Sequence, residues 1–261
     1  MNKKELSQNR IYFFDELRGL AVFCMIFYHA FFILDSMFGY EWAAFLFEFF
    51  MPAQPFFAGL FIFICGMSCS LSRSNAKRGI RLLACAGVVT LFTALIMPAL
   101  GFDGMEIYFG ILHLLASCIL IYAAFEKTLK NASALAGIFL CAVLYPFFSG
   151  IRSGFLNYGE LFALEIPEKL YESDWLAPLG IYSPDFFSAD YFPIFPNIFI
   201  FFAGAFAGRY FVQNSFPEWM HKSRAPFLGS LGRKALIIYI VHMPAVYILA
   251  YVFELIINLF N

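Results

Sequence analysis

Seven apolar runs, each long enough to cross a lipid bilayer as a helix, dominate this chain of 261 residues. They lie near residues 16–38, 45–71, 80–98, 107–125, 132–149, 191–212 and 234–258. The composition agrees, because 62% of the residues are hydrophobic and only 13% are charged, whereas the elements of a soluble domain keep one face polar. The sequence therefore predicts an all-α, polytopic membrane protein with about seven transmembrane helices, folded as a single integral membrane domain over residues 1–261.

Basic residues between the apolar runs predict the orientation of the chain. If the N-terminus is cytoplasmic, every Lys and Arg except Arg152 and Lys169 falls on the cytoplasmic side. Cytoplasmic segments of membrane proteins carry such an excess of basic residues. We therefore expect a cytoplasmic N-terminus, a C-terminus outside, and an extracytoplasmic position for the acidic, aromatic segment at about 150–190. The aromatic residues of that segment suit either ring stacking on a sugar or packing on the membrane surface.

The first apolar run contains two ionisable residues, Arg18 and His29. Ionisable side chains inside membrane helices are costly and mark functional sites. Eleven residues of α-helix make roughly three turns plus 20° and rise about 16 Å, so both side chains lie on one stripe. Arg18 would lie at the cytoplasmic surface, where it could also serve only as an orientation signal, and His29 would lie past the middle of the bilayer.

Three other spans carry polar residues at a depth similar to that of His29. Glu48, His113 and Asn197 would lie roughly 9 Å below the outer surface in spans two, four and six. Facing one another or a water-filled cavity, these groups would form a site. The alternatives are a packed neutral imidazole for His113, a headgroup-level position for Glu48 and an interhelical hydrogen bond for Asn197. His242 lies nearer the cytoplasmic half and is interpreted as structural.

Basic residues also surround the cytoplasmic mouth of the predicted bundle. Arg78, Arg81 and Arg233 are explained by the orientation rule, yet the same charges would hold a polyanionic cofactor such as a nucleotide thioester. All six cysteines fall within apolar runs, and we interpret them as small hydrophobic residues. No spacing in the sequence predicts a metal site.

Several stretches of the chain resemble a known group of membrane enzymes. The stretch FDELRGLAVFCMIFYH, which contains Arg18 and His29, resembles the opening helix of the transmembrane acyltransferase superfamily. In that superfamily, ten residues separate an arginine from a histidine in this helix. Four further stretches are similar to the bacterial branch related to the heparan-alpha-glucosaminide N-acetyltransferase catalytic domain. They are RGIRLLACAGVVTLFTALIMP, YFGILHLLASCIL, SPDFFSADYFPIFPNIFIFFAGAFAG and LGRKALIIYIVHMPAV. The resemblance runs from about residue 10 to 250. One departure is that the animal lysosomal enzymes place their catalytic histidine in the loop after the first of these helices, whereas residues 39–54 here contain none.

The resemblance implies acetyl transfer from cytoplasmic acetyl-CoA to an extracytoplasmic amine or hydroxyl, often on a sugar. Under this reading His29 is the general base or, less simply, an acetyl relay, and Glu48 orients it. The predicted site comprises His29, Glu48 and His113 for catalysis, Arg18, Arg78, Arg81 and Arg233 for acetyl-CoA, and Asn197 and Asp190 for the acceptor, without a metal.

The resemblance also implies a bacterial plasma membrane protein, with no nucleic-acid partner and the oligomeric state left open. The alternatives are a secondary transporter or proton-coupled carrier that uses the buried histidines as a relay, and a non-catalytic scaffold.

Overall fold

Helices occupy all seven apolar runs in the computed structural model, which describes residues 10–101, 104–159 and 161–260, without the side chains of 257–260. Lys3 and Lys4, which contribute to the predicted orientation, and Glu160, in the acidic segment, lie outside the described residues. The helices are α1 (Tyr12–Phe38), α2 (Glu41–Phe50), α3 (Gln54–Met67), α4 (Asn75–Leu91), α5 (Ile111–Leu129), α6 (Ala134–Phe148), α7 (Ile194–Asn214), α8 (Pro226–Arg233) and α9 (Ala235–Phe260).

The seven candidate spans in the described part of the chain confirm the predicted number. They are Tyr12–Phe38, Glu41–Leu71, Asn75–Ala99, Ile111–Leu129, Ala134–Ser153, Ile194–Asn214 and Ala235–Ile256. The second span combines α2 and α3 around a 3₁₀ turn, Met51–Ala53. Pro52 lies in this turn, where a proline cannot donate the backbone hydrogen bond that a continuous α-helix would need.

One short β-hairpin is present within the otherwise helical fold. Strands β1 (Phe155–Asn157) and β2 (Ala163–Glu165) pair antiparallel within the segment predicted as a loop. Short 3₁₀ helices fill much of the remaining segment, at Ile151–Ser153, Glu168–Tyr171 and Asp174–Leu179. The fold is therefore helical except for this hairpin, within the residues that the structure describes.

The chain divides into two compact units, and the prediction of a single domain stays a prediction. The first unit comprises residues up to Ile64 and from Phe216 onward. Its centre is a contact between α1 and α8 without intervening side chains. A Cβ atom on Gly19 would lie 1.8 Å from the carbonyl oxygen of Leu228, and one on Gly232 would lie 1.9 Å from that of Asp15. Only glycine permits such an approach, so α8 is held directly against the N-terminal half of α1.

The second unit, Cys65–Ser215, is built from two antiparallel helix pairs, α4 with α5 and α6 with α7. Gly79 of α4 lies against Leu120 of α5, and Gly137 of α6 lies against Phe206 of α7. Helix α5 has the largest buried share of the seven spans, which makes it the centre of this unit.

Candidate active site

A pair of histidines joins α1 to α9 inside the first unit. Nδ1 of His29 lies 2.8 Å from Nε2 of His242, and the two rings stack with their centroids 5.0 Å apart. Farther along both helices, Phe38 contacts Tyr247. Because these contacts follow the same order in both segments, α1 and α9 run in the same direction.

Hydrogen bonding assigns the tautomers of the two rings. Nδ1 of His242 lies 2.6 Å from the carbonyl oxygen of Tyr239, which can only accept, so this nitrogen carries the proton. A neutral His242 then accepts at Nε2, and the donor is Nδ1–H of His29. Nε2 of His29 is consequently the unprotonated nitrogen, and no described residue forms a hydrogen bond with it. The pair therefore presents His29 Nε2 as a proton acceptor.

A cluster of two arginines and one aspartate lies at the other end of the predicted stripe. Asp15 Oδ2 is 2.6 Å from Arg10 Nη2, and Asp15 Oδ1 is 3.2 Å from Arg18 Nη1. One carboxylate faces two guanidiniums, so the cluster keeps a net positive charge. Arg18 and His29 lie on the same uninterrupted helix, which preserves the separation of about 16 Å along its axis.

Glu16, next to this cluster, holds the start of α8. Its Oε1 accepts hydrogen bonds from the Ser223 hydroxyl at 2.8 Å and from the backbone N–H groups of Arg224 and Ala225 at 2.8 and 2.9 Å. A carboxylate at a helix N-terminus satisfies N–H groups that lack a partner in the helix. The same helix ends at Arg233, which is exposed and lies beside the contact of Gly232 with α1. The predicted cofactor residues Arg18 and Arg233 therefore lie at one end of the first unit.

Another polar contact links the loop after α1 to α9. The hydroxyl of Tyr40 donates to Oε1 of Glu254. This hydrogen bond raises the pKa of Tyr40 above its ordinary value, so the hydroxyl stays protonated over the whole physiological range. The contact fixes the far end of the helix pair that carries His29 and His242.

His113, predicted as catalytic, has both ring nitrogens engaged by its own unit. Nδ1 accepts from the backbone N–H of Gly110, the N-cap residue of α5, at 3.3 Å. Nε2 lies 3.2 Å from the hydroxyl of Thr90, which donates to the carbonyl of Ile107. Both ring nitrogens of His113 therefore have partners within the described chain, and its catalytic role stays a prediction.

The two residues predicted to bind the acceptor also contact helix N-termini. Asn197 donates from Nδ2 to the carbonyl of Pro193 at 2.8 Å, within the first turn of α7. Oδ2 of Asp190 accepts from the backbone N–H of Ile111 at 3.0 Å and so caps α5 from a distant part of the chain. The Asn197 bond is local to α7, whereas Asp190 caps α5, and sequence spacing did not reveal that cap because it depends on the fold of residues 186–193 against the start of α5.

Glu48, predicted to orient His29, forms no hydrogen bond with it in the described structure. Glu48 is exposed on α2, and its carboxylate forms no hydrogen bond among the described residues, whereas His242 occupies Nδ1 of His29. In the second unit, Arg81 is exposed, while Arg78 is half-buried and donates to the carbonyl and the sulfur of Cys65 at 3.1 and 3.0 Å.

Sequence reasoning missed His242, which it placed at a different depth from His29. A signal was present, since His29 lies ten positions after Gly19 and His242 lies ten positions after Gly232. Only the contact between the two glycines makes the equal spacing meaningful, because it fixes the relative height of the two segments. No group of three or more metal-ligating side chains occurs in the described residues.

Seven long apolar helices in the described part of the chain indicate an integral membrane protein, and a histidine pair joins the first of them to the last. The family model for the catalytic domain of heparan-alpha-glucosaminide N-acetyltransferase matches residues 10–244. The chain belongs to this family, whose members are membrane N-acetyltransferases that use acetyl-CoA. A search of the curated proteins and a search of the solved structures each found no significant match.

Proposed function

We propose that this protein transfers an acetyl group from acetyl-CoA to an amine or hydroxyl acceptor, with Nε2 of His29 as the general base. The observation that carries the proposal is the chain of hydrogen bonds from His29 through His242 to the Tyr239 carbonyl. A positioned base is most effective when its tautomer and ring orientation are fixed before the acceptor arrives.

The transfer needs one base and one leaving group. A neutral amine attacks the thioester carbonyl carbon, a nitrogen–carbon bond forms, and the carbon–sulfur bond breaks. The proton leaves the attacking nitrogen for His29 Nε2 and then protonates the departing CoA thiolate, so the products are an amide and CoA thiol. His242 supports this cycle, because its Nε2 accepts from His29 throughout.

The cationic end of the first unit suits the phosphates of CoA. Arg18 and Arg10 share one carboxylate, and Arg233 is exposed at the end of α8. Guanidinium groups bind phosphate oxygens through charge-assisted hydrogen bonds. The axial separation of about 16 Å between Arg18 and His29 is comparable to an extended pantetheine arm, which would carry the thioester to the base.

We propose that the phosphates bind on the cytoplasmic side and that the acceptor is a sugar amine on the outer side. The distribution of basic residues supports a cytoplasmic position for Arg18. Helices α1 and α9 run in the same direction as the first and last of seven spans, which fits chain ends on opposite sides of the membrane. The glucosaminide in the family's name supports an amino sugar as the acceptor.

The test is acetyl transfer by purified protein from radiolabelled acetyl-CoA to glucosamine. His29→Asn retains an N–H that can donate to His242 but lacks the base, and we expect transfer to fall by about 10²-fold or more while CoA still protects the protein against heat. His113→Asn is the matched control, because its amide oxygen can still accept from Gly110, and transfer should persist. Loss of transfer in the control and its retention in His29→Asn would reverse the assignment. If neither the parent nor the variants transfer acetyl groups, and a pH gradient drives solute flux through the parent, the protein is a transporter.

A further inference from the structure

In the described residues of the β-hairpin, 155–159 and 161–165, one face of the paired strands is made of apolar and aromatic side chains. The register pairs Leu156 with Leu164, and the backbone N–H of Tyr158 donates to the carbonyl of Phe162 at 2.9 Å. Because side chains alternate along a strand, these four residues share one face. Glu165, opposite Phe155, lies on the other face.

The apolar face is seated on α6, the fifth candidate span. The Tyr158 hydroxyl donates to the carbonyl of Val143, and the Phe147 ring lies 5.3 Å from Tyr158 and 6.2 Å from Phe162, between ring centroids. Phe139, Val143 and Phe147 follow one another at intervals of four residues and therefore form one stripe of the helix. The hairpin is thus attached to a defined stripe of a membrane-spanning helix.

This stripe is the outward-facing side of α6. Phe139 is 72% exposed and Val143 is 36% exposed, whereas the opposite side buries Gly137 and Cys141. In a helix that crosses a bilayer, an exposed apolar stripe faces lipid. Val143 lies five residues before the helix ends at Phe148, which corresponds to about 8 Å along the axis. The hairpin therefore descends beside the last turns of the span on its lipid-facing side.

The hairpin keeps large apolar residues uncovered at this depth. Leu161 at the turn is 94% exposed, and Phe162 and Leu164 are 53% and 52% exposed. Two short strands do not form a stable hairpin in water without a surface to cover their apolar face. A tyrosine beside the helix end is also the residue type that concentrates at membrane–water interfaces.

We propose that the hairpin is a membrane anchor, inserted with Leu161, Phe162 and Leu164 into the boundary between lipid headgroups and acyl chains. Its ligand is the bilayer, and Glu165 on the opposite face points toward the aqueous side. For Tyr158, this assignment favours packing at the membrane surface over ring stacking on a sugar, and it does not depend on acetyl transfer.

Site-directed spin labelling of the full chain in phosphatidylcholine–phosphatidylglycerol vesicles tests the anchor. Nitroxides are placed at Leu161→Cys and, separately, at Leu164→Cys, in a background where the half-buried Cys24 and Cys85 are alanine. Asp185→Cys, at an exposed residue of the same extramembrane segment, is the matched control. Oxygen concentrates in lipid, whereas a water-soluble nickel chelate stays in the aqueous phase. We expect oxygen to relax the labels at 161 and 164 several-fold more strongly than the nickel chelate does. At 185, the nickel chelate should relax the label more strongly than oxygen.

Two other results would overturn the anchor. Equal access of the nickel chelate to positions 161 and 185 would place the hairpin in water. Protection of 161 and 164 from both reagents would place it against protein, for instance a second copy of the chain. The two label positions guard against misfolding of either variant, and each labelled protein must elute from size-exclusion chromatography with the unlabelled parent.

Discussion

Replacement of His242 tests whether the second histidine works through the first. In His242→Phe, the ring shape is retained but Nδ1–H of His29 loses its acceptor. A hydrogen bond of this kind contributes about 0.5–1.5 kcal/mol net, and each 1.36 kcal/mol corresponds to about tenfold in rate. If that energy selects the tautomer with Nε2 free, its loss lowers kcat by about 2-fold to about 13-fold. Removal of His29 itself should cost about 10²-fold to about 10⁴-fold.

His242→Gln provides the conservative comparison. A glutamine oxygen can take the position of Nε2 and accept from His29, so most of kcat should return relative to His242→Phe. KM for acetyl-CoA should be the same in both variants, because the cationic cluster lies at the other end of the helical stripe. The assay is steady-state acetyl transfer, with kcat and KM determined separately and folding checked by thermal unfolding.

Two outcomes would refute the reasoning about this pair. Wild-type kcat in His242→Phe would mean that the contact does not prepare the base. Equal impairment of the Phe and Gln variants, with unchanged thermal unfolding, would mean that His242 does more than accept a hydrogen bond.

Three further predictions concern the framework and the cationic end. Gly232→Ala should destabilise the protein by about 3 kcal/mol or more, because its Cβ would lie 1.9 Å from a carbonyl oxygen of α1. Gly229→Ala is the control: its Cβ would have no neighbouring atom nearer than 3.5 Å, so stability should change by about 1 kcal/mol or less. Thermal unfolding in detergent compares the two variants. Glu16→Gln removes the carboxylate that caps α8, so the unfolding temperature should fall. In the transfer assay, KM for acetyl-CoA should rise more than kcat falls. Glu48→Gln, at an exposed residue, should match the parent in both assays. Arg18→Gln should weaken CoA binding by about tenfold in calorimetry, with a smaller dependence on salt than the parent shows; unchanged affinity and salt dependence would exclude Arg18 from phosphate binding.

The helical framework followed from the sequence because a bilayer imposes its own length and polarity on each span. All seven predicted runs became helices, with ends shifted by a few residues, and a 3₁₀ turn that contains Pro52 interrupts the second span. The β-hairpin escaped prediction because its strands are three residues each and depend on α6 for support.

The candidate site was only half predictable. Arg18 and His29 were placed correctly on one helix because their relation is local and follows from helical periodicity. The roles of His113 and Asp190 depend on which backbone N–H groups lack a partner once the helices have packed. A polar residue near a helix start looks the same in a sequence whether it binds a ligand or caps the helix.

The sequence by itself determined the membrane class, the spans and the family, because apolar length, periodicity and motif order are properties of the chain. Only the tertiary structure decided that His242 is the partner of His29 and that Glu16 holds α8. Those pairings join residues more than 200 positions apart. They depend on the close approach of α1 and α8 at Gly19 and Gly232, and no local pattern encodes the relative height of two helices that meet only in the folded chain.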